Sequence, residues 1–83
     1  FPSYPNPAFS EMTVGFHLKK PYRLSLDIMD MRGTIVQRVF ENQSFGMGWQ
    51  RQWMGLNDLP SGQYIYRLHG AGFDQSQSFI IAR

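Results

Sequence analysis

Two stretches of strict alternation, joined through a proline, constrain this chain more than any other feature. Met12, Val14, Phe16 and Leu18 alternate with Thr13, Gly15 and His17, and Tyr22, Leu24, Leu26 and Ile28 alternate with Arg23, Ser25 and Asp27. Successive side chains of a strand point to opposite faces, so each run reads as a strand with one buried side. Pro21 fixes its own φ and has no N–H to give a sheet, which places it in the connection between them. Nowhere does a 3.6-residue period suggest a helix.

The rest of the chain continues in the same manner, with short strands set apart by turn residues. Asp30-Met31-Arg32-Gly33 puts Asp at the start of a turn and Gly where positive φ is wanted, as in a type I turn followed by a bulge. A third strand is expected over residues 35–41, with a bulge near Gln37-Arg38 because Val36 and Val39 cannot both face inward in a regular strand. Residues 42–48 read as a polar loop and residues 49–54 as a fourth strand. Leu59-Pro60-Ser61-Gly62 ends a compact reversal, and Tyr64, Tyr66 and Leu68 alternate in a fifth strand. Gly70-Ala71-Gly72 turns the chain toward Phe79-Ile80-Ile81 in a sixth. The expected fold is all-β, a small antiparallel immunoglobulin-like sandwich of six to seven strands, with residues 1–83 forming a single domain.

Eighty-three residues leave no room for a second core or a deep cleft, but seven Phe, four Tyr and two Trp supply enough apolar bulk to fold without cross-links. The absence of cysteine removes disulfides, thiolate metal sites and cysteine nucleophiles. No apolar stretch approaches the length needed to span a bilayer, and the opening Phe1-Pro2 suggests a piece of a larger exported protein. The net charge of +2 is scattered, with arginines interleaved among aspartates and only Lys19-Lys20 adjacent, which argues against a nucleic-acid surface.

Candidate chemistry is sparse. His17 and His69 are the only imidazoles, and no zinc-protease, nucleophile-elbow or phosphate-loop motif is present. Ser10, Ser25 and Ser44 have no evident base. Asp27 and Asp30 could share a calcium ion, but a strand position and a turn start account for them. Neither enzymatic activity nor any metal or cofactor is expected. Tyr64 fits the tyrosine corner of immunoglobulin folds, its hydroxyl capping the preceding loop, and Gly62 supplies a backbone angle. Tyr4-Pro5-Asn6-Pro7 makes a stiff, extended opening to the domain. Trp49, Arg51 and Trp53 share one face of a strand, and two readings compete for them. Either the row stacks on sugar rings, as in a carbohydrate-binding or spacer module attached to a secreted glycoside hydrolase, or Trp53 is core and Trp49 covers it with Arg51 stacked between.

Several of these motifs occur together in an order that resembles the C-terminal sorting domains of type IX secretion cargo in Bacteroidetes-type bacteria. They are Tyr4-Pro5-Asn6-Pro7 at the opening, a strand ending at Asp30, then Gly33 and Val36, Leu59-Pro60-Ser61-Gly62 with Gln63-Tyr64, and the terminal residues 79–83. The resemblance implies an immunoglobulin-like sandwich at the end of a larger cargo protein, exported to the periplasm and recognised there by an outer-membrane translocon. Sortase-like outer-membrane proteins would remove it as the cargo reaches the cell surface or the medium. By the same resemblance Gly62 and Tyr64 match the family's GxY element, and Phe79, Ile80, Ile81 and Arg83 its terminal hydrophobic-basic segment, which would be the sorting signal. Gln75, Ser76, Gln77 and Ser78 stand where many members carry lysines. The pattern is also similar to the immunoglobulin-like part of flagellar hook-capping proteins. Pairing of two copies through an exposed edge strand stays open.

Overall fold

A computed structural model describes residues 10–82 of the protein. Six strands follow in order, β1 (Glu11–Leu18), β2 (Tyr22–Asp30), β3 (Ile35–Phe45), β4 (Gly48–Gly55), β5 (Gly62–Gly70) and β6 (Phe73–Ile81). All pairings are antiparallel, and they form one sheet of β1 with β4 and a second in the order β3-β2-β5-β6. The chain changes sheets between β1 and β2, between β3 and β4, and between β4 and β5, which yields the expected immunoglobulin-like sandwich.

The alternation predicted for the first two strands is the alternation of the core. Met12, Val14, Phe16 and Leu18 on β1, and Leu24, Leu26 and Ile28 on β2, are each at most 1% exposed. Met54, Leu56, Tyr66, Leu68, Phe79 and Ile81 close the core from the remaining elements. Rings meet edge-on where the sheets converge, with Phe16 and Phe45 centroids 5.5 Å apart at 82°. The sheets are also joined directly where Gln37 Nε2 donates to the Gly55 carbonyl at 3.0 Å.

The Asp30 turn forms as expected. Gly33 sits at φ 88°, its amide donates to the Asp30 carbonyl at 3.0 Å, and Asp30 Oδ1 accepts from the amides of Arg32 and Thr34. A different glycine is required for space. A Cβ on Gly70 would collide with the Arg23 carbonyl, so β5 passes close beside the start of β2 only because this position is bare.

Two expectations need correction. Residues 42–45 are strand, not loop, because β3 runs 11 residues to Phe45. Register shifts against β2 let it do so, leaving Val36 and Val39 as extra residues on either side of the anticipated bulge, and Asn42 takes φ 52°. Arg23 holds this polar end by donating to the Asn42 carbonyl and Ser44 Oγ, while the Asn42 amide donates to Ser25 Oγ. Likewise β6 begins at Phe73, well before the apolar triplet, as an edge strand whose half-buried Gln77 accepts the Tyr66 hydroxyl at 3.1 Å.

Candidate recognition surfaces

The terminal residues singled out by resemblance separate into two groups. Phe79 and Ile81 are each 1% exposed and pack in the core, whereas Ile80 between them is 49% exposed on the outer face of the four-stranded sheet. Tyr64 also lies with the core, whereas Gly62 is exposed at the start of β5. Tyr64 is 6% exposed, stacks on Phe79 at 6.0 Å, and donates its hydroxyl to the Pro60 carbonyl at 2.7 Å, forming the expected tyrosine corner. Gly62, at φ 159°, borders on ordinary extended backbone, and an added Cβ would meet the Tyr64 ring at 3.7 Å, so glycine is only mildly required there. Arg83 and Tyr4-Pro5-Asn6-Pro7 lie outside the described residues.

Around Ile80 the outer face carries an apolar row that sequence reasoning missed. Met29 pairs with Ile35 on β3 and with Ile65 on β5. Ile65 pairs with Ser78, and Ile80 follows on the same face of β6, within the diagonal reach of Ile65. Ile35 is 47% exposed, and Met29 and Ile65 are half-buried. The row therefore crosses all strands of the sheet, β3-β2-β5-β6, and ends on the terminal one. Strict alternation, had it been applied to the last strand, would have set Ile80 apart from Phe79 and Ile81.

Beside this row lies a charged cluster, also unforeseen. Asp27 is buried, accepting from Arg38 Nε at 2.7 Å and lying 2.8 Å from His69 Nε2. Burial pushes its carboxyl up, but the hydrogen bonds to Arg38 and His69 outweigh that and hold it below the usual carboxylate range. Arg67 makes a two-pronged contact with Asp74, whose carboxyl is lowered by that hydrogen bond. Both oxygens of Asp27 are engaged, and Asp30 is committed to its turn and to Arg32. Among the described residues no group of three His, Asp or Glu could bind a metal.

On the opposite sheet Trp49, Arg51 and Trp53 do share one face of β4, and they face solvent. Trp49 is 65% and Trp53 58% exposed, which overturns the reading of Trp53 as core. The reason is parity: Met54 is buried, so the odd-numbered positions of β4 point outward. Arg51 makes no cation–π contact with either ring; among the described residues such a contact joins Lys20 to Tyr22 instead, at 5.5 Å.

The described residues thus form a small antiparallel sandwich of immunoglobulin type, with a tyrosine corner, a terminal strand built into its core and exposed apolar side chains on both sheets. Residues 3–82 match the family described as the secretion system C-terminal sorting domain, and the chain belongs to that family. No curated protein matches it. The domain is a C-terminal sorting signal for type IX secretion, which directs proteins across the outer membrane to the cell surface or beyond, and a sorting signal is not itself catalytic. Membership in the family implies cargo fused on the N-terminal side and recognition by the secretion machinery. No helix among the described residues is long and apolar enough to cross a membrane. Nothing in the comparisons supports a carbohydrate-binding module as the chain's principal role.

Proposed function

We propose that residues 1–83 work as one address label whose readable part is the outward side of β6 together with the apolar row it completes. The translocon contacts Ile80, Ile65, Met29 and Ile35, and sortase-like outer-membrane proteins act on the same module once the cargo has crossed. Gly62, Tyr64, Phe79 and Ile81 contribute through the fold, holding β6 in register. Arg83 and the Tyr4-Pro5-Asn6-Pro7 opening belong to the label by family resemblance. The domain catalyses nothing; it is carried through the periplasm and presented.

The observation behind this reading is the split within the terminal triplet. A receptor meeting the folded domain reaches Ile80, at 49% exposure, and does not reach Phe79 or Ile81, at 1% each. A row of aliphatic side chains on a sheet face is what a protein partner covers, since burying apolar area stabilises association by about 25 cal/mol per Å².

The test is a reporter with an export signal, fused ahead of this domain and expressed in a bacterium with type IX machinery. The intact domain carries the reporter to the surface or medium, and a version lacking residues 79–83 leaves it in the periplasm. Ile80→Gln, with an unchanged thermal midpoint, also leaves it in the periplasm. Wild-type export of Ile80→Gln would remove Ile80 from the readable surface.

A further inference from the structure

The outer face of β4 carries a row of side chains to which the proposed address label gives no role. Trp49, Arg51 and Trp53 alternate along it, and their partners across the pair on β1 are His17, Gly15 and Thr13. A cleft of about 240 Å³ lies there, lined by Gly15, Trp49, Gln50 and Arg51. The indoles stand at either end, roughly 13 Å apart by the rise of a strand.

Both indoles are held in place while remaining open to solvent. His17 packs edge-on against Trp49, with centroids 4.8 Å apart at 62°. Trp53 lies over Gly55, where an added Cβ would come within 2.8 Å of its ring, and its indole N–H donates to Glu11 Oε1 at 3.1 Å. Both rings stand exposed on the same face of β4, and contiguous exposed apolar surface of this kind marks interaction sites.

Arg51 gives the site its sign. Arg23 donates to Asn42 and Ser44, Arg32 pairs with Asp30, Arg38 with Asp27 and Glu41, and Arg67 with Asp74. Arg51, exposed between the two indoles, makes no hydrogen bond or ion pair among the described residues. A guanidinium offers its donors in a planar fork that fits a carboxylate.

We infer that this face binds an acidic polysaccharide, with sugar rings stacked on Trp49 and Trp53 and a uronate carboxylate received by Arg51 over the Gly15 cleft. Stacking suits a pyranose because its C–H face meets the electron-rich ring while its hydroxyls stay in water. Trp and Arg are also what a protein partner buries at an interface, so the experiment below separates the two occupants. A nucleic acid would favour clustered cations, which the chain lacks. The inference is independent of how the translocon reads the other sheet.

The experiment titrates the whole domain with alginate and with polygalacturonate, using dextran as the neutral reference, and follows tryptophan fluorescence. The two acidic polymers change the emission and bind, while dextran binds weakly or not at all. Arg51→Gln lowers affinity for the acidic polymers about tenfold or more, the loss expected for one charge-assisted hydrogen bond. Trp49→Ala and Trp53→Ala weaken binding as well, each with its thermal midpoint checked, and the double variant Lys19→Gln/Lys20→Gln leaves affinity close to wild type. The inference is overturned if neither acidic polymer binds. It is also overturned if the lysine pair, and not Arg51, accounts for the binding, since that is general charge attraction. Failure of both polymers together with loss of reporter export in Trp49→Ala assigns the face to a protein partner instead.

Discussion

Removing the hydroxyl of Tyr64 separates its structural work from any direct reading by a receptor. In Tyr64→Phe the ring keeps its place against Phe79, 6.0 Å away, and only the 2.7 Å bond to the Pro60 carbonyl is lost. That bond ties the start of β5 to the reversal before it, where Leu59 is 6% exposed and its amide donates to the Leu56 carbonyl at 3.1 Å. A partly buried neutral hydrogen bond contributes about 0.5–1.5 kcal/mol, and an acceptor left unpaired adds to the loss, so about 1–2 kcal/mol is expected. For a domain of this size each kcal/mol moves the midpoint by about 4–8 °C, which predicts a fall of roughly 4–16 °C in a circular-dichroism melt. Because Tyr64 is only 6% exposed, reporter export well below the lowered midpoint should be unaffected. An unchanged midpoint would refute the corner as a stabilising device. Lost export from a variant that is still folded would show that the hydroxyl is read directly.

Other perturbations follow from the same geometry. Phe79→Ala opens the core and should cost about 3–5 kcal/mol in urea denaturation, whereas Ile80→Ala on the surface should stay within about 0.5 kcal/mol. Gly70→Ala sets a methyl against the Arg23 carbonyl and should lower stability by about 1–3 kcal/mol, seen as an earlier chemical midpoint at an unchanged slope. Asp27 titrates below its usual value when folded, burial notwithstanding, because Arg38 and His69 hydrogen-bond its charged form. Its contribution is therefore present above the ordinary carboxylate pKa of about 3.9 and is lost as pH falls through the lower folded value. In Asp27→Asn the fall of unfolding free energy below about pH 4 should be shallower than in wild type, measured by denaturant titrations across that range.

The parts of the fold legible in the sequence were those governed by a period of two with one buried face. Met12 to Leu18 and Tyr22 to Ile28 declared both their strands and their inward side chains, and Tyr64 declared its corner. The first half of β6 was not legible, because an edge strand has only one neighbour to satisfy. Gln75 and Gln77 sit half-buried there, and Gln77 is partnered by the Tyr66 hydroxyl. The end of β3 was hidden for another reason: its bulges break the alternation, so Asn42, Gln43 and Ser44 look like a loop although Gln43 and Ser44 pair with β2. For the surfaces, Trp49, Arg51 and Trp53 were visible as a row, with an exposed and a partly buried reading both open. Their direction follows from Met54 facing the core, a fact about packing. The row from Ile35 to Ile80 depends on strand register across the sheet, which no local pattern encodes.

The position of β6 has a further consequence for the cell. This strand borders only β5, yet it delivers Phe79 and Ile81 to the core. Such a strand leaves the ribosome after everything it packs against in the domain, so the sandwich cannot close until β6 has been made. A cargo chain broken off or terminated anywhere upstream carries no folded label. Closure of the label therefore waits on β6, whatever the length of the cargo ahead of it.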